Sequence, residues 1–405
     1  MEQEIHPSVF GAEALMETYS DNIILFGPDA LAQLGEELFL SDRKTILLVM
    51  GGASARIPLR MILGSPVFRK PGLNMPHHEN VPPEPDTECV RAIVRTMERE
   101  QPDAVLAVGG GSVMDAAKAA YLSWQTGLDI DDLFGVNVAS DRFPERKFQR
   151  ICAMPTTAGT GSEVTPYSNI IDARTGVKKL LMDPVLIPEA AAVIPELTLT
   201  APEKLTRETG FDALVHSIES FLNFKAMAAH PEAEPLAPEA IRLIVHALPA
   251  ALRNPGDSEA RTRLSAAATL AGMAIRTSPT SLPHLLSYSF CGKASHGDAV
   301  AALLPHFWRF YLAEPEVRER TMRLAPFFPG NTPEEVIDSY CAFLRSCGGE
   351  TDPGRLAQTG AEMIDKLAED ALLNPVKLTG APRSVTQENC RAVFHEVLDP
   401  VWMRS

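Results

Sequence analysis

Two adjoining segments decide the fold of the first half of this chain: the apolar run Asp103-Ala-Val-Leu-Ala-Val108 and the segment Gly109-Gly-Gly-Ser-Val-Met-Asp-Ala-Ala-Lys-Ala-Ala120. The apolar run predicts a strand, and the second segment predicts a helix whose first turn is rich in glycine. Such a junction leaves backbone N–H groups unpaired at the positive end of the helix, where a diphosphate binds favourably. Ser112 is placed to cap the helix or to donate to a phosphate. An ordinary tight turn is the alternative, and the lack of a GxGxxG pattern predicts a variant of the Rossmann fold.

Similar apolar runs lie on both sides of this stretch, at Asn22–Phe26, Thr45–Met50 and Arg150–Met154. Helical segments such as Thr87–Arg99 separate them, and this alternation indicates an α/β domain with a mainly parallel sheet.

From about residue 196 the pattern becomes helical, as in Pro238–Pro249, while Lys225–Ala237 is interpreted as a loop between helices. In the segment that begins at Thr332, that residue is a candidate N-cap and Glu335 completes a capping box. We therefore predict an α/β dinucleotide-binding domain in residues 1–195 and an all-helical domain in residues 196–405.

A candidate metal site begins with Asp212 and His216, which lie four residues apart in an apolar helical run and therefore share one helix face. His284 and His296 follow downstream, twelve residues apart. Three imidazoles and one carboxylate suit Fe(II) or Zn(II) better than Mg²⁺ or Ca²⁺, which prefer oxygen ligands. A pair of this spacing is also common on protein surfaces, so the pattern alone is weak.

A third segment, Pro155-Thr-Thr-Ala-Gly-Thr-Gly-Ser-Glu-Val-Thr165, is rich in hydroxyl groups and small residues. Thr156, Thr157 and Thr160 offer hydrogen bonds to a planar amide ring or to a phosphate, and the small residues leave room for the ring. A loop without a ligand has the same composition.

These segments, in this order, resemble the iron-containing (group III) alcohol dehydrogenases, which are related to glycerol dehydrogenase and dehydroquinate synthase. The resemblance runs from about residue 20 to the C-terminus and includes the segments Gly210–His216, Ala271–Ala274 and Ser295–His306. It implies a dehydroquinate synthase-like fold and a metal held by Asp212, His216, His284 and His296. The all-helical domain of residues 196–405 is then the metal-binding and substrate domain. It also implies that the metal activates an alcohol or aldehyde oxygen while hydride passes to or from a nicotinamide.

Two positions depart from the family pattern. The segment between His284 and His296 is shorter than usual, and Ser295 stands where the family commonly has proline. Tyr288 stands where many members carry a further histidine, and its hydroxyl is a candidate proton donor or substrate contact. A tyrosine packed in the core is the alternative interpretation.

The preference between NAD and NADP is predicted from the end of the second strand. No carboxylate stands there to accept from the adenosine ribose, as an NAD-specific site requires. Gly51 and Gly52 provide space, Ser54 a hydroxyl, and Arg56 or Arg60 a cation, so we predict NADP(H) in preference to NAD(H). A surface turn with solvated arginines is the alternative. The complete set of candidate cofactor-binding residues is Gly51, Gly52, Ser54, Arg56, Gly109, Gly110, Gly111, Ser112, Asp115, Thr156, Thr157, Thr160 and Lys179.

Composition restricts the function further. The 405 residues carry a formal net charge of -15, which argues against binding to nucleic acid or to anionic membranes. Neither a membrane span nor a basic signal peptide is apparent, so we expect a cytoplasmic enzyme. The resemblance implies that it acts on a small alcohol or aldehyde and forms a homodimer or a larger homo-oligomer. A dehydroquinate synthase-like lyase acting on a sugar phosphate and a metal-free nucleotide-binding protein are the two other hypotheses.

Overall fold

A computed structural model describes residues 9–39, 44–52, 55–149, 151–358 and 362–402 of the chain. The chain divides into two compact units. The first comprises Glu13–Thr200, and the second consists mainly of the chain from Ala201 onward. Among the described residues, no helix combines the length and the apolar character that a membrane span requires.

The first half of the chain alternates between strands and helices. The strands are β1 Ile23–Phe26, β2 Ile46–Met50, β3 His77–His78, β4 Ala104–Gly109, β5 Gly135–Val136, β6 Cys152–Pro155, β7 Tyr167–Ile171, β8 Lys178–Met182 and β9 Ala190–Val193. The helices are α1 Phe10–Tyr19, α2 Ala30–Phe39, α3 Arg56–Gly64, α4 Thr87–Glu100, α5 Gly111–Thr126 and α6 Val138–Arg142.

Six of these strands form one sheet in the order β1-β9-β6-β4-β2-β3, and every pairing within it is parallel. A smaller sheet has the order β5-β8-β7, in which β7 and β8 are antiparallel. The strands β1, β2, β4 and β6 of the six-stranded sheet overlap the runs predicted as strands at residues 22–26, 45–50, 103–108 and 150–154, of which residue 150 lies outside the described residues.

The central strands are buried on both faces, which explains why their sequences are continuous apolar runs. Successive side chains point to opposite faces of a strand. In β2, Leu47 and Val49 therefore enter one hydrophobic core, whereas Ile46, Leu48 and Met50 enter the other. The strand β4 divides in the same way between the two cores.

The described part of the second unit is helical. Its helices are α7 Glu203–Leu222, α8 Phe224–Ala229, α9 Leu236–Arg253, α10 Ser258–Thr277, α11 Leu282–Ser287, α12 His296–Tyr311, α13 Pro315–Arg323, α14 Pro333–Ser346, α15 Pro353–Ala357, α16 Glu362–Ala371, α17 Pro375–Thr379 and α18 Cys390–Trp402. A mainly parallel sheet in the first unit and helices in the second confirm the predicted fold class.

Two local predictions are corrected or refined. The interpretation of residues 225–237 as a loop is wrong, because α8 and a short 3₁₀ turn at Pro231–Ala233 occupy most of that segment. Thr332 does cap α14 by accepting from the backbone N–H of Glu335. The Glu335 carboxylate accepts from the N–H of Asn331, one residue earlier than a capping box requires.

The helix α7 lies at the centre of the second unit and packs against α9, α10 and α12. From Gly210 to Leu222 every residue of α7 is buried. A helix that is buried on all sides belongs to a core, so polar residues within it need partners there. Asp212, His216 and Glu219 are such residues.

Candidate active site

One face of α7 carries three ionisable residues. Asp212 and His216 are four residues apart, and Glu219 follows three residues later, so a single helix face presents all three. Each of them is at most 6% exposed. Glu219 was not predicted from the sequence, although the spacing of four and then three residues along α7 is the signal that indicates it.

Two further helices bring histidines to this face. His284 lies in α11, and His296 is the first residue of α12. Nε2 of each is 3.4 Å from Asp212 Oδ1, and Nε2 of His216 is 3.6 Å from the same oxygen. Donor atoms of Asp212, His284 and His296 all lie within 4.8 Å of one another. His216 is beside this set, with its ring stacked on that of His284 at 4.5 Å.

The second nitrogen of two histidines has a partner that fixes the ring. His284 Nδ1 contacts the carboxylate Oε2 of Glu219, which can only accept, so Nδ1 carries the proton and Nε2 has a free lone pair. The Ser287 hydroxyl donates to the carbonyl of His284 and lies 3.1 Å from His296 Nδ1. It therefore accepts from Nδ1–H, so the proton of the neutral His296 ring lies on Nδ1 and Nε2 is the nitrogen that can bind a metal.

The donor set fits a divalent transition metal. Four tetrahedral ligands at about 2.1 Å from a metal lie roughly 3.4 Å apart, close to the separations from Asp212 Oδ1. Burial lowers the pKa of His216 to about 4, so its imidazole is neutral, as a ligand must be. Burial opposes ionisation of Asp212, but positive charge at the facing histidines outweighs it and lowers the pKa of this carboxyl below its usual range. With neutral imidazoles, a bound divalent cation would supply that positive charge. Within the described part of the chain, His216 Nδ1 is buried without a hydrogen-bond partner.

The shortened segment between the last two histidines forms a compact turn. A 3₁₀ turn at Tyr288–Phe290 is followed by Gly292, whose φ of +76° requires a residue without a side chain. Ser295 then caps α12 by accepting from the N–H of Asp298. The short connection thus still directs His296 towards Asp212, because the serine provides the helix start at this position.

Tyr288 lies beside His296 and is half-buried. Its ring is stacked on the His296 ring, with centroids 6.3 Å apart. Its hydroxyl accepts from Lys377 Nζ at 3.1 Å. Tyr288 is therefore adjacent to the metal centre, and its neighbour Lys377 was missed from the sequence because it lies 89 residues further along the chain.

In the first unit, the glycine-rich turn of residues 109–112 packs directly on the threonine-rich loop of residues 155–165. A Cβ atom at Gly110 would lie 3.0 Å from Thr157 Oγ1, and one at Gly111 would lie 2.6 Å from Thr160 Cγ2. A Cβ at Gly109 would meet Val113 at 2.5 Å. These glycines are thus required for close packing within the protein, whereas the sequence suggested close approach to a phosphate.

Two ionisable residues of α5, Lys118 and Asp115, form hydrogen bonds with the threonine-rich loop and the strand that follows it. Lys118 donates to the Ser162 side chain and to the carbonyls of Thr165 and Tyr167, at 2.9, 2.9 and 3.1 Å. Asp115 accepts from the Ser162 hydroxyl and from the N–H of Asn169. Both oxygens of Asp115 are thus engaged within the protein. Lys118 was not predicted, although a lone lysine in an alanine-rich helix is a visible signal.

The remaining candidate cofactor residues are distributed around the strand ends. Ser112 Oγ accepts from the N–H of Glu84, and Thr156 is buried, with its N–H bonded to the carbonyl of Gly109. Lys179 forms an ion pair with Asp172 at 2.8 Å.

The end of β2 carries the residues from which the NADP preference was predicted. Gly51 is buried, Gly52 is exposed, and Arg56 is exposed at the first position of α3. Ser54 lies outside the described residues.

Comparison with known families covers both units. Residues 21–195 match the family described as iron-containing alcohol dehydrogenase, and residues 206–398 match the C-terminal domain of the same family. This chain belongs to the iron-containing alcohol dehydrogenase family. The family assignment makes it a metal-linked, NAD(P)-dependent oxidoreductase that interconverts alcohols and aldehydes.

Named relatives of this iron-containing alcohol dehydrogenase agree with the assignment. The NADPH-dependent butanol dehydrogenase of Clostridium saccharobutylicum is 32% identical over 387 residues, covering 92% of this chain and 95% of that protein. Alcohol dehydrogenase 4 of Saccharomyces cerevisiae strain YJM789 is 30% identical, covering 94% of this chain and 98% of that protein.

Solved structures of similar proteins share the fold. An archaeal alcohol dehydrogenase from a Red Sea brine pool, ADH/D1, superposes with a TM-score of 0.82 at 25% identity, covering 94% of this chain and 98% of the other. The iron-containing alcohol dehydrogenase of Thermotoga maritima superposes with a TM-score of 0.77 at 28% identity, covering 94% and 99% of the two chains.

Proposed function

We propose that this enzyme is an aldehyde reductase and alcohol dehydrogenase that prefers NADP(H) and holds one Fe(II) or Zn(II) ion on Asp212, His216, His284 and His296. The dinucleotide is assigned to the domain of residues 1–195, and the metal and substrate to the domain of residues 196–405. The proposal rests mainly on one observation, that three imidazole Nε2 atoms lie 3.4 to 3.6 Å from a single carboxylate oxygen.

The residues around the metal centre have distinct tasks in this proposal. When bound, the metal supplies Lewis-acid polarisation of the substrate oxygen. Glu219 and Ser287 hold the Nδ1 protons of His284 and His296, which directs both Nε2 atoms inward. Tyr288 offers a hydroxyl beside His296 for contact with the substrate oxygen or for proton transfer.

In the first domain, the glycine-rich turn presents backbone N–H groups of Gly110, Gly111 and Ser112 at the start of α5 for the diphosphate. The neighbouring loop residues Thr156, Thr157 and Thr160 are assigned to the nicotinamide side, and Lys118 and Asp115 position that loop. Lys179 is assigned to a ribose contact, for which it must exchange its ion pair with Asp172.

The preference for NADP(H) is supported by two observations. The chain has no carboxylate directly after β2, where Gly51 and Gly52 are followed by the exposed Arg56. The relative from Clostridium saccharobutylicum is described as NADPH-dependent. A guanidinium is suited to bind the additional 2′-phosphate of NADP.

Metal content and cofactor use test the proposal together. The protein is purified without oxygen and analysed for metals, and oxidation of NADPH and NADH is followed with small aldehydes before and after chelation. We expect one metal per chain and chelator-sensitive turnover that is faster with NADPH. Absence of metal and of turnover after addition of Fe(II) or Zn(II) would instead support a metal-free nucleotide-binding protein.

The lyase hypothesis predicts a different result. A dehydroquinate synthase-like enzyme would release phosphate from a sugar phosphate and would not consume NADPH continuously with aldehydes. The relatives described as alcohol dehydrogenases favour the oxidoreductase. A homo-oligomeric assembly and a cytoplasmic location stay predictions of the sequence.

A further inference from the structure

The metal centre is more open on one side than on the other. The side chain of His296 is 30% exposed, whereas those of Asp212, His216 and His284 are between 4% and 7% exposed. A substrate therefore reaches the centre past His296. The half-buried Tyr288 stacks against His296, the most exposed member of the set.

A lysine contacts the tyrosine that stacks on His296. Lys377 of α17 donates to the hydroxyl of Tyr288 at 3.1 Å and to that of Thr280 at 3.3 Å. Its Nζ is also 5.1 Å from the centre of the Tyr288 ring.

This ammonium group has no carboxylate partner in the part of the chain that the structure describes. Among the described residues, no carboxylate forms an ion pair with Lys377, and both of its side-chain hydrogen-bond partners are neutral hydroxyls. A half-buried ammonium group without a carboxylate partner is available to form a charge-assisted hydrogen bond with a bound anion. A divalent ion with Asp212 and Glu219 would be neutral overall, so Lys377 leaves the site with one positive charge that a bound anion would balance.

We propose that Lys377 binds an acidic group of the substrate, and that this enzyme acts on small aldehydes carrying a carboxylate and on the corresponding hydroxy acids. The carbonyl end points to the metal centre and the carboxylate to Lys377 Nζ, with a few carbon atoms between them. The inference rests on the proposed function and defines its substrate class.

Binding is measured first, without nucleotide, so that no reaction occurs. Titration calorimetry with 4-hydroxybutanoate and with 1-butanol is carried out on the metal-loaded and on the metal-free protein. A hydrogen bond to a charged group contributes enough for roughly a 10- to 100-fold difference in affinity. We expect the loaded wild-type protein to bind 4-hydroxybutanoate tighter by that factor, and Lys377→Met to lose this preference. Lys377→Arg should keep most of it, and Lys225→Met, an exposed lysine of the same unit, should keep all of it.

Turnover separates recognition of the carboxylate from an effect through Tyr288. With NADPH, Lys377→Met should reduce kcat/KM for 4-oxobutanoate by about 10- to 100-fold and that for butanal by less than about threefold. Equal losses with both aldehydes would show that Lys377 only positions Tyr288. Tyr288→Phe should retain the preference for the charged aldehyde.

Two results overturn the inference without affecting the proposed function. One is a wild-type protein that binds 4-hydroxybutanoate no better than 1-butanol while it reduces butanal. The other is a preference that persists in Lys377→Met. Because the calorimetric titration needs no turnover, it tests Lys377 even if neither aldehyde is reduced.

Discussion

Glu219 determines the orientation of a proposed metal ligand without facing the metal position itself. Its carboxylate is buried, contacts His284 Nδ1, and accepts from both the N–H and the hydroxyl of Ser281 at 2.9 Å. A histidine that donates its second ring proton to a carboxylate is fixed in orientation and is a stronger metal ligand.

Glu219→Gln is predicted to weaken metal binding by about 10- to 100-fold, because glutamine keeps the shape and the acceptor oxygen but removes the negative charge. Titration of the metal-free protein with Zn(II) or Fe(II) measures the effect. Glu334→Gln, at an exposed position of α14, is the control and should bind metal as the wild type does. An affinity within threefold of the wild type would show that Glu219 has only a packing role.

Lys118 is a buried residue of the first unit whose ammonium group binds the threonine-rich loop. Burial lowers its pKa to about 8, although Asp115 and Glu163 act in the opposite direction. Its hydrogen bonds to the backbone carbonyls of Thr165 and Tyr167 offset part of the free energy lost when the ammonium group is buried. The position of that loop therefore depends on a residue that no ligand contacts in our proposal.

At the level of secondary-structure elements, the start of α5 and the threonine-rich loop are matched in shape. Gly111→Ala is predicted to destabilise the protein by about 1–3 kcal/mol, because the added methyl group would overlap with Thr160. The affinity for NADPH should fall as the two loops separate. Chemical denaturation and NADPH fluorescence measure these changes.

Two variants test whether the contact with Thr160 causes the loss of stability in Gly111→Ala. Gly64→Ala, at the end of α3, meets no atom within 4 Å and should be neutral. The double variant Gly111→Ala/Thr160→Ala removes the overlapping atoms and should recover part of the lost stability. A double variant that is no more stable than Gly111→Ala would contradict this explanation.

The crossing of α7 and α12 depends on a single glycine. A Cβ atom at Gly297 would lie 1.9 Å from the backbone oxygen of Glu208, and a backbone atom cannot turn aside as a side chain can. Gly297→Ala is therefore predicted to cost about 3 kcal/mol or more in stability and to displace the adjacent His296.

Denaturation and metal titration of the Gly297→Ala variant test this prediction. Gly256→Ala is the control in the same unit, since its Cβ would make only an ordinary contact of 3.6 Å with Asn254. If Gly297→Ala unfolded at the same denaturant concentration as the wild type and Gly256→Ala, the close crossing would not limit stability.

At the scale of the whole molecule, metal binding is coupled to folding, because the proposed ligands come from three helices that meet only in the folded second unit. A metal present at 100 times its Kd stabilises the folded state by about 2.7 kcal/mol. For a unit of this size, chelation should therefore lower the unfolding temperature by roughly 5–10 °C.

Scanning calorimetry before and after chelation measures this shift. In Asp212→Asn, which lacks the central carboxylate, chelation should leave the unfolding temperature unchanged. A wild-type protein whose unfolding temperature is insensitive to chelation and to added Fe(II) or Zn(II) would argue against a metal held by these residues.

Elements with strong local patterns were predictable. The buried runs of β2 and β4 are apolar throughout because both faces of a parallel sheet are covered, and Thr332 caps α14 by a contact three residues away. Residues 225–237 were predicted wrongly because a proline-containing segment with weak periodicity still forms α8 when Asn223 caps its start.

The sequence by itself determined the order of strands and helices, the family, and the histidines and aspartate proposed as metal ligands, because these depend on short-range patterns and on motifs contiguous in the chain. Only the tertiary structure decided that Glu219 holds His284, that Gly110 and Gly111 pack against threonines, and that Lys377 stands beside Tyr288. Such contacts join residues up to 89 positions apart, and their partners are selected by helix packing and burial rather than by local sequence.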